Sequence, residues 1–146
     1  MTAPLNDELW ELFGSTRRAV LATLKHDGRP QLSNVGYLYD PTSGTALIST
    51  TADRAKTRNL RRDPRASLHV TTPDLGAYVV GEAVAEIGSV AAAVDDETVS
   101  QLVEHYRALQ GEHPDWAEFC AAMVEERRLL LRLRLDHVYG WQPKAS

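Results

Sequence analysis

The stretch AVLATLKHDGRPQLSNV, residues 19–35, decides the fold class of this chain. A short, mostly apolar run is followed by a turn and then by a run in which apolar and small polar residues mix. Asp27-Gly28 favours a hairpin turn, because glycine readily supplies the positive φ that such turns demand. The pattern therefore predicts two antiparallel strands, Ala19–Leu24 and Gln31–Tyr39, joined by a tight turn.

Further strand and turn signals follow along the chain. Turn-forming residues at Asp40–Gly44 precede a third predicted strand, Ala46–Thr51, and the three strands are expected to form an antiparallel meander. The remaining predicted strands are Ala66–Thr72, Ala77–Ile87 and Leu129–Leu135, and the predicted helices are Asn6–Phe13, Asp53–Asp63, Asp95–Leu109 and Pro114–Val124.

Six strands joined largely by short turns favour a mainly β, α+β class. The expected architecture is a closed or nearly closed antiparallel β-barrel of about six strands with peripheral helices. An alternating strand–helix pattern and the Gly-x-Gly-x-x-Gly fingerprint are absent, which argues against a parallel dinucleotide-binding sheet. With 146 residues, 43% of them hydrophobic, the chain has the length and composition of one globular domain, residues 1–146.

Composition also argues against membrane-spanning, secreted and metal-binding proteins. No apolar run approaches the roughly 18 residues of a membrane span, and the acidic start MTAPLNDELWELFG is unlike a secretory signal. The single cysteine, Cys120, has no partner for an internal disulfide, which favours the cytoplasm and a thiol packed in the core. The five histidines are dispersed without metal-ligand spacing, so no metal site is expected.

The net charge of −4 conceals an uneven distribution. Residues 1–73 carry ten Lys/Arg and seven Asp/Glu, whereas residues 74–146 carry six and thirteen. Six of the ten basic residues in the first half fall within the twelve residues Arg54–Arg65. Such a concentration of positive charge in one segment indicates an anionic partner.

The basic segment begins where a predicted strand gives way to a predicted helix. Arg54 and Lys56 fall in the first turn of that helix, where backbone N–H groups carry partial positive charge and acidic residues are preferred. A bound phosphate would turn this repulsion into attraction, and Asn59 shares a helical face with Lys56. The alternative interpretation is a solvated basic face. The other arginines either extend the positive surface or pair with the acidic second half, namely Arg58, Arg61, Arg62 and Arg65.

Polar and aromatic side chains supply a second, weaker set of candidates. Gln31 and Ser33 alternate onto one face of a predicted strand, where they either bind a planar ring or are ordinary residues near a turn. Five aromatic residues either wall a flat ligand or fill the core or a dimer interface: Tyr37, Tyr39, Tyr78, Tyr139 and Trp141. No nucleophile or acid–base pair stands out, so the catalytic residues are left unassigned.

Four segments, in this order, resemble one protein family: Val20–Val35, Arg54–Arg65, Gly111–Trp116 and His137–Gly140. The chain is similar over nearly its whole length to the pyridoxamine-phosphate-oxidase-like family, the FMN-binding split β-barrels. The basic segment is similar to that of the actinobacterial branch, which uses the deazaflavin coenzyme F420. The C-terminal residues Gly140–Lys144 lack the Arg-x-x-Pro ending of the true pyridoxamine-phosphate oxidases, so oxidation of vitamin B6 is not expected.

This resemblance implies a split antiparallel β-barrel and a homodimer with two cofactor sites at the subunit interface. It implies an oxidoreductase that transfers a hydride from reduced F420 to a small electron-poor molecule, such as an enone, quinone or tetrapyrrole. The cofactor phosphate is expected near Arg54, Lys56 and Asn59, and Tyr78 is expected to approach the ring from the barrel or from the partner subunit. The complete set of expected cofactor-binding residues is Pro30, Gln31, Ser33, Ser49, Thr50, Thr51, Arg54, Lys56, Asn59 and Tyr78.

Three alternatives remain open at this point. FMN is the alternative cofactor on the same fold, although the phosphodiester and polyglutamate tail of F420 suit six basic residues better than one phosphate does. The chain is alternatively a non-catalytic protein that carries F420. A nucleic-acid binder is disfavoured, because the total charge is acidic and no recognised motif is present.

Overall fold

A computed structural model describes residues 4–144, and the side chains of residues 8–144. The strands are β1 Arg18–Leu24, β2 Pro30–Gly36, β3 Leu38–Asp40, β4 Thr45–Thr51, β5 Arg65–Thr71, β6 Tyr78–Ile87 and β7 Arg128–Trp141. The helices are α1 Pro4–Glu11, α2 Ala55–Arg62, α3 Glu97–Gln110 and α4 Trp116–Glu125, with a 3₁₀ turn at Leu12–Gly14.

All seven strands of the described chain belong to one antiparallel sheet, in the order β2-β1-β5-β6-β7-β4-β3. The sheet curls into a half-barrel, and its two edges, β2 and β3, do not pair with each other. The α+β class and the split antiparallel barrel expected from the sequence are therefore confirmed. The described residues form seven strands, where about six were expected.

The β1–β2 hairpin forms as the Asp-Gly signal predicts. The strands pair from Arg18 opposite Gly36 to Leu24 opposite Pro30. Gly28 has a φ of 87°, and its N–H donates to the Lys25 carbonyl at 2.9 Å. Glycine adopts this backbone conformation without the steric penalty that a β-carbon would bring.

The predicted meander is wrong, because the predicted strand Gln31–Tyr39 divides at Tyr37. The Tyr37 side chain is fully buried, its hydroxyl donates to the Phe13 carbonyl at 2.6 Å, and its N–H donates to the Arg17 carbonyl at 2.9 Å. These bonds hold the chain at the point where β2 leaves β1. Beyond that point β3 pairs with β4, so one predicted strand supplies both edges of the sheet.

Strand β7 is twice as long as the predicted strand Leu129–Leu135 and carries the chain through to Trp141. It pairs with β6 on one side and β4 on the other. The predicted alternation is confirmed: Leu129, Leu131 and Leu133 are fully buried, whereas Arg132 and Arg134 are exposed. This period of two puts one face of β7 in the core.

Two apolar clusters hold the described elements together. The larger one fills the inner face of the sheet and includes Phe13, Leu21 and Tyr37. The smaller one lies beneath α3 and α4 and includes Leu102 and Phe119, with Cys120 packed against it as a partly buried thiol. Since Leu130, on the opposite face of β7 from the core leucines, packs against this second cluster, α3 and α4 cover the outer side of β7.

Candidate functional site

Helix α2 begins with positive charge, as the sequence predicts. Arg54 is its N-cap residue, with an extended backbone and no capping hydrogen bond from its side chain, and the first turn holds no acidic residue. The predicted helix start at Asp53 is two residues early, because Asp53 lies before the helix and accepts a bond from the Thr51 hydroxyl at 2.8 Å. A helix N-terminus with this surplus of cations attracts an anion.

Three cations gather at the start of α2, and one of them, Arg128, comes from a distant part of the sequence. Lys56 is partly buried, and its pKa is lowered first by that burial and then by the positive charges of Arg54 and Arg128. We call Arg54, Lys56 and Arg128 the cation cluster. Like charges repel more strongly where water is partly excluded, so a bound anion would relieve an unfavourable interaction at this position.

Arg128 is the member of the cation cluster that sequence reasoning missed. It is the first residue of β7 and lies opposite Thr51 in the ladder with β4. Its Nη1 donates to the Ser49 hydroxyl at 3.3 Å, and its Nε donates to the Glu126 carboxylate at 2.9 Å. No local signal marks Arg128, because the pairing of β4 with β7 alone brings it to α2.

The other arginines of the basic segment divide into two groups. Arg65 forms a salt bridge with Asp63 at 2.8 Å, and Arg62 donates to the Leu24 carbonyl at 2.9 Å. Arg58 and Arg61 are exposed and form no salt bridge among residues 8–144. Within this part of one chain, none of the four arginines pairs with the acidic second half, which favours the alternative in which Arg58 and Arg61 extend the positive surface.

Two predicted site residues, Gln31 and Asn59, meet in a polar network. The Asn59 amide donates to Gln31 Oε1 at 2.7 Å and to the Thr23 hydroxyl at 3.1 Å. Its oxygen accepts a bond from Arg62 at 3.0 Å. Because Asn59 is buried, this network fastens α2 to β1 and β2, and it gives Asn59 a structural role whether or not a cofactor is bound.

The remaining predicted residues of β2 and β4 lie on both faces of the sheet. Ser33 pairs with Leu21 and therefore shares the inner face of the sheet, and Thr50 shares that face from β4. Ser49 faces the other side of β4, toward Arg128. Pro30 is exposed at the start of β2, near the α2 network.

Tyr78 lies apart from the other predicted site residues. It pairs with Thr71 at one end of the β5–β6 ladder, whereas α2 joins the other end of that ladder at Arg65. Six residues of strand separate these ends by about 20 Å. Within one chain Tyr78 therefore does not reach the cation cluster, and its approach to the ring, from the barrel or from the partner subunit, stays a prediction.

A cavity of about 440 Å³ adjoins the cation cluster. It lies between α3, α4 and the outer side of β4 and β7, and Ser49 and Arg128 border it. His105, Tyr106 and Phe119 line its interior. Arg128, a member of the cation cluster, thus also borders a cavity whose walls are partly aromatic. The sequence did not predict this cavity.

No set of three or more His, Cys, Asp or Glu residues in the described part of the chain is arranged to hold a metal ion. None of the helices within residues 4–144 has the length and apolar character to cross a membrane.

The sequence profile of the pyridoxamine 5′-phosphate oxidase family matches residues 5–142, which is nearly the whole chain. The chain belongs to this family. In this member of the family, the fold is a half-barrel with its split between β2 and β3. Its helix α2 has a basic start.

Solved structures with this family fold carry different descriptions. A conserved hypothetical protein from Mycobacterium tuberculosis is 24% identical, with a TM-score of 0.70 over 100% of this chain and 92% of that one. A heme binding protein from Mycobacterium smegmatis is also 24% identical, with a TM-score of 0.68 over 97% of this chain and 55% of that one. An F420 reductase is 19% identical, with a TM-score of 0.66 over 91% and 94%. At these identities the comparison establishes the fold.

Proposed function

We propose that this chain binds coenzyme F420 and, with it, reduces a small electron-poor organic molecule. The observation that carries the proposal is the cation cluster, in which Arg54, Lys56 and Arg128 gather at the start of α2. Among residues 8–144 the cluster contains one salt bridge, between Arg128 and Glu126. The family membership and the likeness in fold to an F420 reductase support the same proposal.

The cation cluster fits a cofactor with an extended negative charge. Burial and neighbouring cations already lower the Lys56 pKa, so a phosphodiester bound here would stabilise the charged form of Lys56. Arg58 and Arg61, exposed on the same helix, would hold the glutamate tail. A single phosphate, as in FMN, would leave these two cations without a partner, which is why F420 is the preferred cofactor.

The chain's own contribution is to bind and position the cofactor. When bound, F420 supplies a ring that carries hydride, so the protein needs no nucleophile of its own. The ring is expected along the strands that carry Gln31, Ser33, Ser49 and Thr50. Ser49, on the outer face, already contacts Arg128, and Gln31, on the inner face, is fixed through Asn59.

A homodimer is part of the proposal, and the face of the sheet opposite the core supports it. Leu32, Tyr139 and Trp141 on this outer face are 66%, 47% and 59% exposed. Two concavities of about 490 and 690 Å³ also open on it. Large apolar side chains exposed on one face favour an interface, and a partner subunit seated here would bring the partner's Tyr78 toward a cofactor.

The proposal is tested by titrating the purified protein with F420 and following the fluorescence of the deazaflavin. We expect a dissociation constant well below millimolar, about tenfold weaker in Arg128→Ala. Arg134→Ala is the matched control, because Arg134 lies on the same face of β7 about 20 Å away. A dissociation constant above millimolar, or equal losses in the two variants, would contradict the proposal.

The alternatives differ in what the same purified protein does. An FMN enzyme would be yellow as purified and would not bind F420. A carrier would bind F420 tightly but would oxidise reduced F420 with none of a panel of enones, quinones and tetrapyrroles. A nucleic-acid binder would bind any duplex with a steep dependence on salt. The cytoplasmic location rests on the single cysteine and stays a prediction.

A further inference from the structure

The outer face of the sheet carries two charged side chains that the cofactor site does not use. Arg18 begins β1 and Glu82 lies in β6, and both are exposed. Among residues 8–144, neither side chain forms a salt bridge or a hydrogen bond. One unpaired positive charge and one unpaired negative charge thus lie on the face that the proposed partner subunit covers.

These two charges are too far apart to pair within one chain. Ala22, Ser67 and Glu82 stand opposite one another on β1, β5 and β6, so they form one row on the same face. Arg18 lies four residues from Ala22 along β1 and therefore shares this face. Four residues of strand and two strand spacings separate Arg18 from Glu82 by about 16 Å.

The two concavities of the outer face differ in charge in the same way. The concavity of about 690 Å³ holds two arginines, one of them Arg18, and no Asp or Glu among its described lining residues. The concavity of about 490 Å³ holds Glu82 and Asp136, and the charge of its Arg65 is balanced by a salt bridge to Asp63. A face with a positive and a negative concavity side by side is complementary to a second copy of itself.

Symmetry fixes how two such faces would meet. In a two-fold dimer each contact occurs twice, so Arg18 against the partner's Glu82 also brings Glu82 against the partner's Arg18. The axis must then cross the face midway between the two charges. The midpoint falls at His69, which stands opposite Val20 on β1 and Val80 on β6. His69 therefore meets the partner's His69.

The same axis passes over the two most exposed apolar side chains of this face. At right angles to the line from Arg18 to Glu82, the strand spacings carry the axis from His69 to Leu32 on β2 and to Trp141 on β7. Leu32 is 66% and Trp141 is 59% exposed. A side chain on the axis meets its own copy, so both would be buried in an apolar strip with opposite charges on its two sides.

We propose that two copies of this chain associate in one register, in which Arg18 of each copy pairs with the partner's Glu82 about an axis at His69. The inference rests on the homodimer of the proposed function and does not depend on the cofactor. The apolar strip supplies the affinity, since exposed ion pairs add little. The charges select the register, because an alignment that sets like charges together is penalised.

The test reverses the two charges separately and together in the full-length protein without cofactor. Sedimentation equilibrium measures the dissociation constant of the dimer. Arg18→Glu and Glu82→Arg should each raise it about tenfold or more, because each dimer then contains two pairs of like charges. The double variant exchanges the charges and should return to within about threefold of the wild type.

Two exposed residues away from the proposed axis supply matched controls. Lys25→Glu, in the turn after β1, and Glu125→Arg, at the end of α4, make the same reversals of charge and should dissociate like the wild type. A wild-type dissociation constant in both Arg18→Glu and Glu82→Arg would overturn the inference and leave the homodimer standing. A double variant weaker than either single variant would do the same, whereas a monomeric wild type would overturn both.

A second measurement locates the axis without changing either charge. In a Cys120→Ser background, His69→Cys should be joined to its own copy by a short bis-maleimide, because the two residues at position 69 face each other. Glu97→Cys, exposed at the start of α3, is the control and should not be joined. A dimeric His69→Cys protein that the reagent does not cross-link would overturn the register.

Discussion

Lys56 is a residue whose position costs stability unless an anion is present. Its ammonium group is partly buried and faces two other cations, and its pKa is accordingly low. Functional residues often occupy positions that stability alone would not select. In this site the repulsion within the cation cluster lowers the free energy of unfolding, and binding of an anion offsets that repulsion.

This repulsion predicts opposite effects of one substitution in two buffers. In phosphate-free buffer at low salt, Lys56→Met should melt at or above the temperature of the wild type, because a like charge has been removed. In tens of millimolar phosphate the wild type should gain stability by binding the ion, and the variant should gain less. Thermal unfolding in both buffers measures this, and a variant that is less stable than the wild type in both would refute it.

His105 predicts an acid-sensitive contribution to stability. Its pKa is about 4 in the folded chain because of burial, against about 6.5 when unfolded. Between these values the unfolded state binds more protons, so stability falls as pH falls from 6.5 to 4 and then levels off. The loss amounts to at most about 3 kcal/mol.

His105→Gln should remove this loss. The free energy of unfolding of wild type and variant, measured in urea between pH 4 and 7, should converge toward pH 4 as the wild type loses the stability that depends on a neutral buried ring. Carboxylates such as Glu118 and Glu126, which border the same cavity, titrate in both proteins and cancel in the comparison. Parallel curves would show that His105 is not held neutral by the fold.

At the scale of elements, α2 is fixed by a few polar bonds. Asn59 joins it to β1 through Thr23 and to β2 through Gln31. Asn59→Ala would leave these buried partners unsatisfied and should reduce the free energy of unfolding by about 1–3 kcal/mol. Arg61→Ala, on the exposed side of the same helix, should change it by less than about 0.5 kcal/mol.

Chemical denaturation of the two variants checks this prediction. If Asn59→Ala were as stable as Arg61→Ala, the network would not hold α2, and Asn59 would be free to serve the cofactor directly. The expected loss would instead support a positioning role, in which Asn59 sets the place of Lys56 one helical turn away.

The elements that local chemistry determines could be predicted from the sequence. Asp27-Gly28 predicted the β1–β2 hairpin, alternating leucines predicted part of β7, and the run of cations predicted the positive charge at the start of α2. The division of β2 from β3 could not be predicted, because it depends on a bond from the Tyr37 hydroxyl to Phe13, 24 residues away. Arg128 was missed for the same reason, since only the pairing of β4 with β7 brings it to Lys56.

At the scale of the whole molecule, the outer face of the sheet predicts a dimer. Leu32, opposite Ala22 on this face, is 66% exposed, so Leu32→Glu would place a charge in the proposed interface. Light scattering should give about twice the 16.2 kDa chain mass for the wild type and a single chain mass for Leu32→Glu. Val94→Glu, at an exposed apolar residue before α3, should remain dimeric.

A wild type that is monomeric at micromolar concentration would contradict the dimer but would leave the cation cluster intact, since its three residues come from one chain. Tyr78 would then have to approach the ring from the barrel of its own chain. The homodimer and the cofactor phosphate site are therefore separate claims that separate measurements decide.

The most direct measurement of the central claim is the calorimetric affinity for F420 of the wild type, Lys56→Ala, Arg128→Ala and the double variant. If both side chains hold one phosphate, each single variant should bind about tenfold or more weakly, and the combined loss should differ from the sum of the two. If the wild type binds F420 and both single variants bind it equally well, the cation cluster is not the phosphate site and F420 is held elsewhere on the molecule.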